Sequence, residues 1–127
     1  MKTILIVDDN PINVKLVQFT LSDEGYDVRT ASDALETRCV LASLTPALIL
    51  MDVQLPGTDG LSLTQELRGD PRFDGTWVVA LTACAMLGDE AKAIAAGCDG
   101  YFTKPIDTEA LPRTLATYLA SPRRAHG

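Results

Sequence analysis

Five short apolar runs, Ile4 to Val7, Val28 to Ala31, Ala47 to Met51, Val78 to Leu81 and Tyr101 to Phe102, alternate along the chain with longer stretches of helical period. Apolar runs this short, without polar alternation, suit strands buried on both faces. Strands separated by helix-length segments do not pair as tight hairpins; they pair in parallel, through right-handed crossovers that lay helices on both faces of the sheet. The alternation therefore predicts a doubly wound α/β fold, a five-stranded parallel sheet with five helices.

The helices announce their ends. Asn10-Pro11 supplies a cap and a proline for the first helical position, and Ile12, Leu16 and Phe19 recur at helical spacing until Gly25. A second helix is expected between Asp33 and Leu44, stopped by Thr45-Pro46. A third follows Asp59-Gly60, carries Leu63 and Leu67, and gives way to a loop from Gly69 to Gly75. The fourth is expected from Leu87 to Ala96, with Gly97 as its stop, and the fifth carries Leu111, Leu115 and Leu119. Pro112 falls inside that last helix. Its missing donor and its ring should make the helix start late or bend near its beginning, with Asp107 as the cap. The pattern closes at Leu119, so residues 1–120 are expected as one domain and residues 121–127 as a short basic tail holding His126, the only histidine. A chain of 127 residues, 46% hydrophobic, has material for one core and no room for a second domain.

A net charge of -6 argues against a surface built to neutralise nucleic-acid or anionic-lipid phosphates. The amino-terminal apolar run breaks at Asp8, so neither a signal peptide nor a membrane-spanning helix is expected, and the expected location is cytoplasmic. Cys39, Cys84 and Cys98 form no CxxC pair, which is poor material for a disulfide framework or a zinc site. Cys39 and Cys98 are expected to be buried reduced thiols.

The polar residues that end the apolar runs are chemically distinctive. Asp8-Asp9 follows the first, Asp52 the third, Thr82 the fourth and Lys104 the fifth. In an open parallel sheet the carboxyl ends of the strands converge on one crevice, so these side chains should meet. Asp8, Asp9 and Asp52 would then repel one another unless a cation were present. Magnesium suits such a set, since it takes one or two carboxylates with waters and phosphate oxygens. Helix capping and dipole complementation is the alternative use for Asp8-Asp9. A carboxylate in the position of Asp52 can act as a nucleophile toward phosphorus, with Thr82 hydrogen-bonding a phosphoryl oxygen and Lys104 supplying a compact positive charge.

With these residues in view, the chain resembles the receiver domains of two-component response regulators, CheY-like in fold, from Ile4 to Leu119. The resemblance is carried by Ile-Leu-Ile-Val-Asp8-Asp9-Asn10, by Leu-Ile-Leu-Met-Asp52 with Pro56 and Gly60 beyond it, by Val-Val-Ala-Leu-Thr82-Ala83, and by Tyr101-Phe-Thr-Lys104-Pro105. The segments Asp8 to Asn13 and Ala80 to Met86 look closest to single-domain receivers of the DivK type and to receivers of hybrid kinases. The resemblance implies that Asp52 accepts phosphate from a histidine, on a histidine kinase or a phosphotransfer protein. It also implies that Asp8 and Asp9 hold magnesium, with the backbone carbonyl of Gln54 as a further ligand. Thr82 would then be the hydroxyl that moves toward the phosphoryl group, Lys104 its ammonium partner, and Tyr101 an aromatic switch. It favours a cis bond between Lys104 and Pro105, which costs little before proline. Without an output module, the expected product is a changed surface for a downstream protein target, on the fourth helix, fifth strand and fifth helix of a monomer or weak phosphorylation-dependent dimer.

Gln54 and Cys84 each lie two residues past a site residue and should flank the path of an attacking water, modulating the lifetime of the phosphorylated state. Trp77, where small or prolyl residues are frequent, sets a large ring at the entrance to the fourth strand. Two other functions remain to be weighed. A phosphohydrolase resembling the haloacid dehalogenases would need a second acid two residues after its aspartyl nucleophile, where this chain has Gln54. A flavin-binding module would need glycine and hydroxyls in the first loop, where Asp8 to Asn13 offers carboxylates.

Overall fold

A computed structural model describes residues 2–83 and 89–123. The elements run β1 (Thr3–Val7), α1 (Pro11–Asp23), β2 (Asp27–Ala31), α2 (Ala34–Ser43), β3 (Leu48–Asp52), β4 (Gln54–Leu55), β5 (Thr58–Asp59), α3 (Gly60–Arg68), β6 (Trp77–Thr82), α4 (Asp89–Ala96), β7 (Gly100–Thr103) and α5 (Ala110–Leu119). Among the described residues, five parallel strands form one sheet in the order β2-β1-β3-β6-β7. The expected doubly wound α/β fold with five helices is the fold observed. Two features were not expected. Gln54–Leu55 and Thr58–Asp59 close a small antiparallel hairpin behind Asp52, and the loop after α3 contains a 3₁₀ turn over Pro71–Phe73.

Strand alternation divides the core in two. Leu5, Val7, Ile49, Met51, Val78 and Ala80 face α2 and α3, packing with Leu41, Leu63 and Leu67. Ile4, Ile6, Leu48, Leu50, Val79 and Leu81 face α1 and α5, packing with Val17, Leu21, Leu111 and Leu115. All five residues of β3 are buried, as a central strand between two helical layers requires. Each such aliphatic side chain contributes roughly 1.5–3 kcal/mol on leaving water, which holds the strand ends in fixed register.

The buried face of α1 differs from the expected one. Ile12 and Phe19 are 74% and 77% exposed and Leu16 is exposed as well, while Val17 and Leu21 enter the core with Val14 packed against it. The helix carries two apolar stripes at compatible spacing, and periodicity alone cannot choose between them. Asn10 caps α1 as expected, its Oδ1 accepting from the N–H groups of Ile12 and Asn13, with Pro11 at the first helical position. Helix α5 starts late, at Ala110, after Asp107 Oδ1 accepts from the Glu109 and Ala110 N–H groups. The Leu111 N–H already donates to the Asp107 carbonyl at 2.9 Å, so the donor missing at Pro112 falls just inside the hydrogen-bonded part, and the regular helix begins only at Ala110.

The end of the sheet opposite Asp52 is closed by Asp99. Its carboxylate accepts from Arg68 Nη2 at 2.9 Å, from Arg123 Nε at 2.8 Å and from the Val78 N–H at 2.9 Å, and Arg123 also donates to the Asp74 carbonyl. Arg123, expected in a loose basic tail, is thus drawn against the domain. Trp77 packs on Tyr118 with ring centroids 5.3 Å apart, and its Nε1 donates to the Ser121 carbonyl. Cys98 is buried, and burial raises its thiol to about 11. Cys39, expected in the core, is instead exposed on α2. It follows Arg38 and precedes the half-buried Val40, on the flank of the helix away from Thr37 and Leu41, which turn inward.

Candidate functional site

The ladder sets the strand ends side by side: Val7 lies opposite Met51, Asp52 opposite Leu81, and Thr82 opposite Thr103. Asp8, one residue past β1, ties its N–H to the Ala31 carbonyl and is fully buried. Its Oδ1 accepts from the Asn10 N–H at 2.9 Å. Its Oδ2 accepts from Asn13 Nδ2 at 3.4 Å and lies 3.2 Å from Lys104 Nζ. Asp52, the last residue of β3, is 4% exposed. Its Oδ1 accepts from the Gln54 N–H at 2.9 Å, and its Oδ2 from Lys104 Nζ at 2.9 Å. Asp9 is exposed above them.

Carboxylate oxygens from Asp8, Asp9 and Asp52 all lie within 4.8 Å of one another. Among the described residues, three carboxyl groups face one ammonium, so acidic groups outnumber the basic one at the cluster. Burial raises the Asp52 carboxyl above the usual carboxylate range; the Gln54 N–H and Lys104 pull the other way, and the neighbouring Asp8 adds to the rise. Burial alone would lower Lys104, but its bonds to Asp52 and Asp8 prevail and raise it. Oxygen-only donors at one rim of an open cleft of about 730 Å³, lined also by Asn10, Pro56 and Lys104, fit a hard divalent cation that keeps some of its water.

The fold brings Asp8, Asp9, Asp52, Thr82 and Lys104 to one edge. Thr82 is buried at the end of β6, its carbonyl accepting from the Lys104 N–H at 2.8 Å. The Lys104-Pro105 bond is cis. Gln54 begins the β4–β5 hairpin with its side chain exposed at the rim. Tyr101, opposite Ala80, lies farther down the sheet and is 36% exposed. Cys84 lies outside the described residues, as does the start expected for the fourth helix at Leu87.

The roles of two residues at this edge escaped sequence reasoning, although both fall in segments that carry the resemblance. Asn13 reads as an ordinary polar residue in a helix, and only the packed first turn of α1 shows its amide against Asp8. Gly60 matters through the space it leaves: a Cβ there would collide with the Asp52 backbone carbonyl, and its N–H donates to the Val53 carbonyl at 3.1 Å. A glycine just before an apolar periodic stretch was the available signal.

The family model for the response regulator receiver domain matches residues 4–116. The polar-differentiation response regulator DivK of Brucella anthropi is 37% identical over 118 residues, covering 93% of this chain and 96% of that one. Among solved structures, the chemotaxis protein CheY4 of Vibrio cholerae superposes with a TM-score of 0.88 at 29% identity, over 93% of this chain and 98% of that one. The receiver domain of the sensor histidine kinase PA1611 of Pseudomonas aeruginosa, solved with a magnesium ion coordinated in its active-site cleft, gives a TM-score of 0.85 at 33% identity, over 94% and 98% of the two chains.

Proposed function

Since this chain belongs to the response regulator receiver family, we propose that it is a phosphorylation switch whose acceptor is Asp52, dependent on magnesium and charged by a histidine kinase or phosphotransfer protein. The observation that carries this reading is the Asp52 carboxylate at a strand end, with Lys104 Nζ at 2.9 Å and the Asp8 and Asp9 oxygens close by.

In the proposed reaction an Asp52 carboxylate oxygen attacks the phosphorus of a phosphohistidine. The P–O bond forms as the P–N bond breaks, and the bonding pair leaves with the imidazole. Asp8, Asp9 and Asp52, with the Gln54 carbonyl, are the groups that would hold magnesium, which supplies positive charge to the phosphoryl oxygens. Lys104 moves part of its charge from the Asp52 carboxylate to a phosphoryl oxygen, and the Thr82 hydroxyl donates to another. The acyl phosphate adds charge and acceptors at the ends of β3, β6 and β7. A population shift in the surface formed by α4, β7 and α5 would carry the signal to a downstream protein. Exposed Ile94 and Tyr101 on that surface support its role in binding. The exposed Ile12, Leu16 and Phe19 on α1, with Ile12 also lining the cleft, offer apolar area to the phosphodonor.

An aspartyl-nucleophile phosphohydrolase is the weaker reading, because the amide of Gln54 stands where such an enzyme needs a general acid or base. Incubation with acetyl phosphate and magnesium should label wild type with acid-labile phosphate and leave Asp52→Asn unlabelled. Asp9→Ala should label more slowly and bind magnesium more weakly than Asp74→Ala, whose carboxylate lies outside the cluster. Labelled Asp52→Asn would show that the acceptor is another residue.

A further inference from the structure

We infer that Asn13 is a positioning residue for the Asp8 carboxylate, and through it for the cation; the inference rests on the receiver reading above. Asp8 is fully buried, and each of its oxygens needs a donor. Oδ1 has the Asn10 N–H. Oδ2 has Lys104 Nζ at 3.2 Å and Asn13 Nδ2 at 3.4 Å, but that ammonium is shared and stands closer to Asp52, at 2.9 Å. Only Asn13 gives Oδ2 a side-chain donor that no other site carboxylate claims among the described residues.

Helix formation does not account for an asparagine here. Asn10 already caps α1, accepting from the Ile12 and Asn13 N–H groups, and alanine is the better residue within a helix. Asn13 is half-buried with its amide against Asp8, while Ile12 before it and Lys15 two positions on are exposed. A neutral amide holds the carboxylate without adding charge, so Asp8 stays oriented while its charge remains available to a cation. A lysine at the same position would put an ammonium against that carboxylate. Without the amide, Asp8 Oδ2 would be left to Lys104 alone and free to turn toward it. Groups that orient metal ligands in this way typically change affinity by about 10–100-fold when removed.

The test is isothermal titration of the metal-free protein with magnesium, alongside side-chain amide NMR in the absence of metal. Asn13→Ala should bind magnesium about tenfold more weakly than wild type, without a lower melting temperature in the metal-free state, and Asn13→Gln should recover part of the loss. In metal-free wild type, the Asn13 side-chain amide resonance should shift when Asp8→Ala is introduced and stay in place with Asp9→Ala. Wild-type magnesium affinity in Asn13→Ala, or an amide resonance indifferent to Asp8→Ala, would overturn the assignment. Failure of wild type itself to bind magnesium would sink the receiver reading, and the metal-free NMR measurement would still decide whether Asn13 holds Asp8.

Discussion

The Lys104 ammonium donates to Asp52 Oδ2 at 2.9 Å although the two residues are 52 positions apart in the chain. It also lies 3.2 Å from Asp8 Oδ2, so one cation bridges two carboxylates that burial would otherwise hold unfavourably close. The repulsion expected among the acidic residues is therefore met in part by a side chain from β7's end, before any metal is considered.

Lys104→Met should leave Asp8 and Asp52 buried without an ammonium, at a cost of about 2 kcal/mol near neutral pH, below the range for fully buried pairs because Lys104 is partly exposed. The loss should shrink in acid, where Asp52 takes up a proton and neutralises itself. Urea unfolding near pH 7 and pH 4 checks this, and an equal loss at both would contradict the bridging role.

Asp52→Asn should stabilise the protein at neutral pH. Burial raises the folded-state carboxyl of Asp52 above its unfolded value. Stability from this group is therefore fully present below the unfolded value and is lost as pH rises through the folded one. The neutral amide removes that penalty, so the melting temperature should rise by roughly 3 °C, the change that about 1 kcal/mol makes in a domain of this size. The gain should fade as pH drops through the carboxylate range, and a gain that persists in acid would point to another cause.

Gly60→Ala should disturb the site from outside it. The added Cβ would press on the Asp52 carbonyl and shift the end of β3, at a cost on the order of 1–3 kcal/mol. Weaker magnesium binding should accompany the loss, because the carboxylate of Asp52 moves with its backbone. Thermal melts with and without magnesium measure both effects, and a variant as stable as wild type would show that the close approach relaxes freely.

Gln54→Ala should change the decay rate of the phosphorylated state several-fold, and Cys84→Glu should quicken it by supplying a group able to activate water. Gln54 stands at the cleft rim with its side chain exposed. Decay of both phosphorylated variants at the wild-type rate would leave the lifetime to Asp8, Asp9 and Lys104.

The sequence alone determined the layered fold and the members of the acidic edge. Both follow from local signals, because an apolar run reads as a buried strand and parallel topology sends every strand's carboxyl end to the same side. Contacts between elements lie beyond such signals. Periodicity could not tell which of two apolar stripes on α1 meets the core, or that Cys39 faces solvent, because both depend on the helix's rotation against its neighbours. The sharing of Lys104 between Asp8 and Asp52, the Asn13 amide on Asp8, and the clamp of Arg68 and Arg123 on Asp99 join residues far apart or on different elements. Their geometry was decided only when the packed core fixed strand register and helix position to within hydrogen-bonding distance.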